Sequence, residues 1–303
     1  MLRRARVAHW RAGRLDAALR GLLWMILSGL LFSGLNAAMR LVAQQMHPFE
    51  AQFLRYLVGL VVILPLFVRG GAGLWRPRSI RGQFIRGVVH TIALSLWFLS
   101  IPHVSLADIT ALGFTTPLFV MLGAVLFLHE RMQSARAVAA ALGLTGVVIV
   151  VWPQLSGQGG LWLLVLLATS PMFAASLLIT KAQTAYERPE VIVAWQSLTV
   201  SLLSLPLALV YWQWPTAAQW LLLAAGGVLG SAGHYALTRA FALMDVSATQ
   251  TVRFLELVWA LLLGWIIFGD SPNRWTVMGG IVICASTVWI ARREASGSRR
   301  ANL

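Results

Sequence analysis

Arg253 and Glu256 stand one helical turn apart inside an otherwise apolar stretch, VSATQTVRFLELVWALLLGWIIF, from Val246 to Phe268. A charge at membrane depth costs a few kcal/mol at least, so it turns toward protein interior or a water-filled cavity. Arg253 lies about 10 Å of helical rise from the start of the stretch, and Glu256 about one turn deeper, near mid-membrane. Two chemistries are open to this pair. The guanidinium can receive a substrate carboxylate while Glu256 tunes the site or carries a proton. Alternatively, the two form an internal i,i+3 ion pair that only packs the helix.

Other residues join them as candidates. Arg55 lies about two turns into a second apolar stretch, where it either attracts an anionic group, snorkels to the headgroups, or pairs with Asp108 or Glu50. His90 and His234 sit inside spans and are either satisfied structural histidines or relays that titrate near neutrality. Tyr235 follows His234, and Gly230, Ser231 and Gly233 precede it, small residues that admit a substrate or a neighbouring helix. Trp195 beside Gln196 is the inner tryptophan best placed to wall a site. Trp97 and Trp259 read as packing, and Trp75, Trp152, Trp212, Trp214 and Trp275 as interfacial belts. Asn36 and Ser170-Pro171 are points where polar or bent backbone could line a passage.

These residues need helices to hold them. Of the 303 residues, 58% are hydrophobic and 11% charged, against about a quarter charged in soluble domains. Apolar runs long enough to span a bilayer recur at roughly 21–41, 49–69, 82–101, 105–128, 135–152, 160–180, 190–211, 217–239, 246–268 and 275–291. Ten spans joined by short connections leave no room for a soluble domain. The single cysteine, Cys284, excludes a disulfide or a cysteine metal centre. HERMQ at 129–133 starts like a zinc-protease helix, but Gln133 takes the place of the second histidine. With no P-loop or GxGxxG, neither an enzyme, a cofactor nor direct ATP drive is expected.

The net charge of +14 is distributed as membrane orientation distributes it, not as a nucleic-acid face. With the N-terminus inside, 20 of the 24 Lys and Arg fall in cytoplasmic segments, Arg86 and the basic arm 1–20 and tail 292–303 included. Only Arg274 falls outside, and Arg40, Arg55 and Arg253 lie within spans. The positive-inside rule then puts both ends in the cytoplasm. The apolar run after the arm exceeds a usual signal core, so it is expected to be retained as a first helix, although residues 1–18 also fit a leader. Arg40 and Lys181 close their helices as interfacial anchors.

The chain also repeats. HPFEAQFLRY (47–56) lies against RPEVIVAWQS (188–197) at an offset of 141, which also pairs Arg40 with Lys181. FTTPLFVMLGAVLFLHE (114–130) lies against FLELVWALLLGWIIFGD (254–270) at an offset of 140. Five spans per half invert the second half relative to the first, as in many secondary transporters with a midplane site.

Across residues 20–292 the pattern resembles the EamA-type transporters of the drug/metabolite transporter superfamily. Pro48 with Arg55, TTPLFVMLGAVLFLHER, and FLELVWALLLGWIIFGD carry that resemblance. It implies an all-α polytopic fold of two five-helix repeats, 21–152 and 160–291, in the inner membrane. It also implies a secondary carrier of a small polar metabolite working by alternating access, export being the expected direction. The intramembrane charges favour an amino acid or amino-acid derivative, opine-like metallophores included, with protons as a coupling ion. Uptake of a vitamin- or nucleoside-like solute, multidrug efflux, and a membrane enzyme or assembly role are the alternatives. The sequence departs from the family pattern at Leu257, where proline usually follows the acid, so helix nine is expected to be straighter than helix four, which keeps Pro117.

Overall fold

The computed structural model describes residues 2–43, 45–70, 76–100, 103, 112–131, 133–152, 160–269 and 274–300, and among these the fold is all helical. The helices are α1 (Leu2–Ala43), α2 (Pro48–Gly70), α3 (Ile80–Ser100), α4 (Thr116–Leu128), α5 (Ser134–Val151), α6 (Leu161–Gln183), α7 (Pro189–Val210), α8 (Ala217–Leu243), α9 (Val246–Arg253), α10 (Leu255–Phe268) and α11 (Arg274–Arg300). Seven stretches are long and apolar enough to cross a membrane, with α9 and α10 together forming one of them; Thr116–Leu128, Ser134–Val150 and Val277–Ile290 are shorter apolar helices. The N-terminal part of the expected fourth span, with Asp108, lies outside the described residues. The basic arm and tail continue α1 and α11 as helix.

Helix ends follow local chemistry. Pro48 and Pro189 open α2 and α7, since a proline in the first turn has no N–H to leave unpaired. Thr216 and Gln219 form a reciprocal capping box at α8. His129 (φ 55°) ends α4, and its repeat equivalent Gly269 (φ 70°) ends α10, both in the left-handed region.

Packing carries the repeat into three dimensions. With α1–α5 equated to α6, α7, α8, α9/α10 and α11, the most extensive helix contacts recur with the halves exchanged. α1 lies along α8 as α6 lies along α3; α2 meets α8 as α7 meets α3; α4 meets α6 as α9 and α10 meet α1. α2 against α7, α4 against α9, and α5 against α11 are each their own counterpart.

The expected straightness of helix nine is corrected. It breaks at Phe254, which separates α9 from α10. The equivalent Phe114 and Thr115 form a turn just ahead of α4. The rings of Phe114 and Phe254 stack with centroids 6.0 Å apart, tilted 26°. Phe254 is fully buried, and a Cβ on Gly143 of α5 would come within 2.5 Å of its ring. Ring packing at equivalent positions therefore accompanies both breaks, and Pro117 accompanies only one.

Candidate functional site

The helix break accounts for the placement of Arg253 and Glu256. Arg253 ends α9 and Glu256 lies in the first turn of α10. A cation at a helix C-terminus and an anion at an N-terminus each complement the local dipole. Their own contact is loose, Arg253 Nε to Glu256 Oε2 being 3.7 Å. Arg253 Nη1 is buried with no hydrogen-bond partner. The two side chains retain 24% and 20% exposure, so neither is sealed in packing. Ser33 of α1 donates to the Glu256 carbonyl at 3.1 Å, fixing α1 against the break.

The two histidines meet at the centre. Their rings lie edge to face, 5.7 Å apart. His90 shares hydrogen bonds with Tyr56 Oη (2.9 Å) and Ser176 Oγ (3.2 Å), and His234 with Gln196 Nε2 (3.4 Å). Phe32 packs edge-on against His234 and Phe173 against His90. The Arg55 guanidinium lies 3.9 Å from the Tyr56 ring centroid, a cation–π contact. Glu50 is not its partner, because Glu50 Oε1 accepts from the Gln213 backbone N–H instead.

Arg86 belongs to this centre and not to a cytoplasmic loop, which corrects the charge count above. It sits in the second turn of α3, only 3% exposed. It donates to Thr180 Oγ1 (2.6 Å), to the Ile192 carbonyl (2.9 Å) and to Gln196 Oε1. A Cβ on Gly87 would lie 2.1 Å from Thr199 Oγ1, so this glycine lets α3 close onto α7 and bring Arg86 to Gln196. The signal was present in the sequence: Gln83, Arg86 and His90 recur at three and four residues, one polar stripe on an apolar helix. Arg55 lines the same small gap as His234, and Gln196 joins Arg86 through its Oε1 to His234 through its Nε2. Among the described residues, Glu256 is the carboxylate beside Arg253.

The remaining candidates fall elsewhere. Tyr235 donates to Glu190 at 3.2 Å and packs edge-on against Trp24, farther along α7 and α1 than His234's partners Gln196 and Phe32. Trp195 is half-buried beside Gln196, and Asn36 is exposed on α1 and does not join the cluster. Lys181 is not a lipid anchor: its ammonium donates to the Phe241 and Met244 carbonyls at 2.7 Å each, capping α8. Glu130, from the HERMQ stretch, accepts from the Val246 and Ser247 N–H groups at 2.8 and 3.1 Å, an anion on the α9 N-terminus.

The expected passage is closed in this conformation. The gap among Arg55, Tyr56, Gly59, Ser197, Gly230 and His234 is about 10 Å³, room for about one water. Glycines bring the walls together: a Cβ on Gly227 of α8 would meet Val58 of α2 at 2.5 Å. The gap is too small for a metabolite unless the helices part. The larger hollow, about 610 Å³ between α10 and α11, has an apolar lining with Cys284, which suits acyl chains better than a polar cargo.

Two structurally equivalent helical halves enclosing buried cations at their junction define a membrane transporter built on an internal repeat. A TM-score of 0.80 to a solved crystal structure 19% identical in sequence, covering 93% of this chain and 99% of the other, supports the same fold. The chain belongs to the EamA-like transporter family, which matches residues 19–152 and 160–292, within the drug/metabolite transporter superfamily. It is 32% identical over 286 residues to a riboflavin transporter of Rhizobium johnstonii, covering 93% of this chain and 94% of that one. It is 28% identical to an S-adenosylmethionine uptake transporter of Rickettsia prowazekii (92% and 95% covered) and 27% identical to a pseudopaline exporter of Pseudomonas aeruginosa (92% and 99% covered).

Proposed function

We propose that this protein is a secondary carrier that exports a small carboxylate-bearing metabolite, an amino acid or amino-acid derivative such as an opine-like metallophore. It does so across the inner membrane by alternating access, with ten spans and both ends in the cytoplasm. The observation that carries the reading is the set of cations at the junction of the halves: Arg55 lines the same gap as His234, Arg86 shares Gln196 with His234, and Arg253 at the helix break keeps Nη1 without a partner, with Glu256 the acid beside it among the described residues. A lipophilic cation would meet repulsion there, whereas a carboxylate would relieve the unpaired Arg253 Nη1. Protons are the proposed coupling ion.

Uptake is the second reading, favoured by the name of the S-adenosylmethionine uptake relative. One experiment separates the two. Metabolites in the medium and in the cytosol of a deletion strain are compared with those of its parent. The depleted or accumulated compound is then followed in vesicles of the purified, reconstituted protein. Export predicts that a carboxylate accumulates inside the deletion strain and disappears from its medium. Uptake predicts a compound left unused in the medium. Accumulation that persists after the pH gradient is collapsed would remove proton coupling, and unchanged metabolites with no vesicle flux would remove the carrier reading.

A further inference from the structure

The repeat makes α3–α6 and α8–α1 equivalent seams, yet their chemistry differs. Along α3–α6, polar residues face each other in antiparallel register. His90 bonds Ser176, Arg86 bonds Thr180, and the Ser79 N–H donates to Glu187 Oε1 at 3.2 Å. Gln83 and Gln183 occupy the step between Arg86–Thr180 and Ser79–Glu187. Both are 1% exposed, and none of their four side-chain polar atoms has a protein partner. A Cβ on Gly82 would lie 3.4 Å from Gln183 Nε2, so this amide rests directly against α3.

Carrying the offsets of 140 and 141 across gives the other seam. Arg86–Thr180 becomes Gly226–Met39, His90–Ser176 becomes Gly230–Leu35, and Gln83–Gln183 becomes Leu223–Val42. These pairs are in contact or in one cluster. A Cβ on Gly226 would meet Met39 Cε at 2.9 Å, and one on Gly230, at the inner end of the seam, would meet Arg55 Nη1 at 2.8 Å and Leu35 at 3.6 Å, while Leu223 and Val42 are fully buried in one apolar core. Selection for packing alone would leave both seams apolar, because an unpaired amide in a dry interior is costly.

We infer that the α3–α6 seam is the leg of the permeation path that takes up water, and that Arg86 sets its preference for anions, whereas the α1–α8 seam stays a dry seal through the cycle at its Val42–Leu223 stretch. Polar pairs exchange for water when α3 and α6 part. Gln83 and Gln183 then offer amide donors and acceptors to a passing polar group. Arg86, released from Thr180 and Gln196, presents its charge to that group between the rim and the histidines. This rests on the carrier reading above and deepens it.

The test uses no cargo. In a Cys284→Ser background, Gln83→Cys and Gln183→Cys are compared with Val42→Cys and Leu223→Cys in sealed vesicles of either orientation. The probes are two membrane-impermeant methanethiosulfonates, one carrying a sulfonate and one a trimethylammonium group. Reaction at positions 83 and 183 only, with the sulfonate faster by about tenfold or more, is the expected result. Arg86→Gln should abolish that preference and Arg86→Lys should keep it. Equal labelling of both seams, no labelling of α3–α6, or equal rates for the two reagents beside an intact Arg86 would each overturn the inference. The face from which labelling occurs reports separately on the proposed orientation, and a dry seam in a protein that still transports would leave the carrier reading standing.

Discussion

Neutralising the charges at the helix break separates a binding role from a packing role. As a packing device, the Arg253–Glu256 pair contributes roughly 0.2–0.5 kcal/mol, because its Nε–Oε2 separation of 3.7 Å exceeds hydrogen-bond length. The dipole contact at each helix end adds about 0.3–1 kcal/mol. Arg253→Met and Glu256→Gln should therefore each lower stability by no more than roughly 1–2 kcal/mol. A guanidinium that holds a cargo carboxylate contributes about 1.5–3 kcal/mol, so its loss should weaken cargo affinity about 10- to 150-fold. The double variant decides between the roles. Removing both charges relieves any uncompensated partner, so a packing pair should regain transport in the doubly neutral protein. If Arg253 binds cargo, the double variant should stay as impaired as Arg253→Met. The assay is flux of the identified carboxylate into reconstituted vesicles, with thermal unfolding in detergent as control. Wild-type flux from the double variant would refute the binding role.

Two structural predictions test the frame that holds the site. A Cβ on Gly279 would lie 2.4 Å from the Gly146 carbonyl oxygen and from Val150, whereas one on the adjacent Gly280 meets nothing within 4 Å. Gly279→Ala should thus destabilise by about 1–3 kcal/mol, and Gly280→Ala should be neutral or gain up to about 1 kcal/mol from helix propensity; thermal unfolding of the two variants, side by side, checks this. Glu130→Ala should cost about 1–3 kcal/mol by freeing two N–H groups of the α9 N-terminus, while the exposed neighbour Arg131→Ala should stay within about 0.5 kcal/mol. Equal losses from the two would show that the Glu130 contact carries no weight.

What could be read in the chain depended on whether the signal was local. Apolar runs located the helices, and the offsets of 140 and 141 located the repeat, because length, hydropathy and helix-end residues are properties of a segment. Arg253 and Glu256 stood out for the same reason: charges in a continuous apolar run need no partner to be noticed. Arg86 was missed because it lies within a few residues of its helix start, where the positive-inside rule assigns arginines to the headgroups. Its burial depends on Thr180, Ile192 and Gln196, about a hundred residues away. The break at Phe254 was missed because no proline or glycine marks it, and its cause is tertiary, in the Phe114 ring and the space that Gly143 leaves.

Comparing repeat equivalents is what recovers the partner-dependent part. Gly87 meets Thr199 where its counterpart Gly227 meets Val58, so both crossings need a glycine for close approach. That shared requirement is architecture, common to the two halves. The residues that differ across the equivalence are Arg86 against Gly226, His90 against Gly230, Gln83 against Leu223 and Arg55 against Gln196. The fold does not require them, because the opposite half is built without them. Their polarity is a cost to a membrane interior, and the proposed site at the junction of the halves is where that cost would have a use.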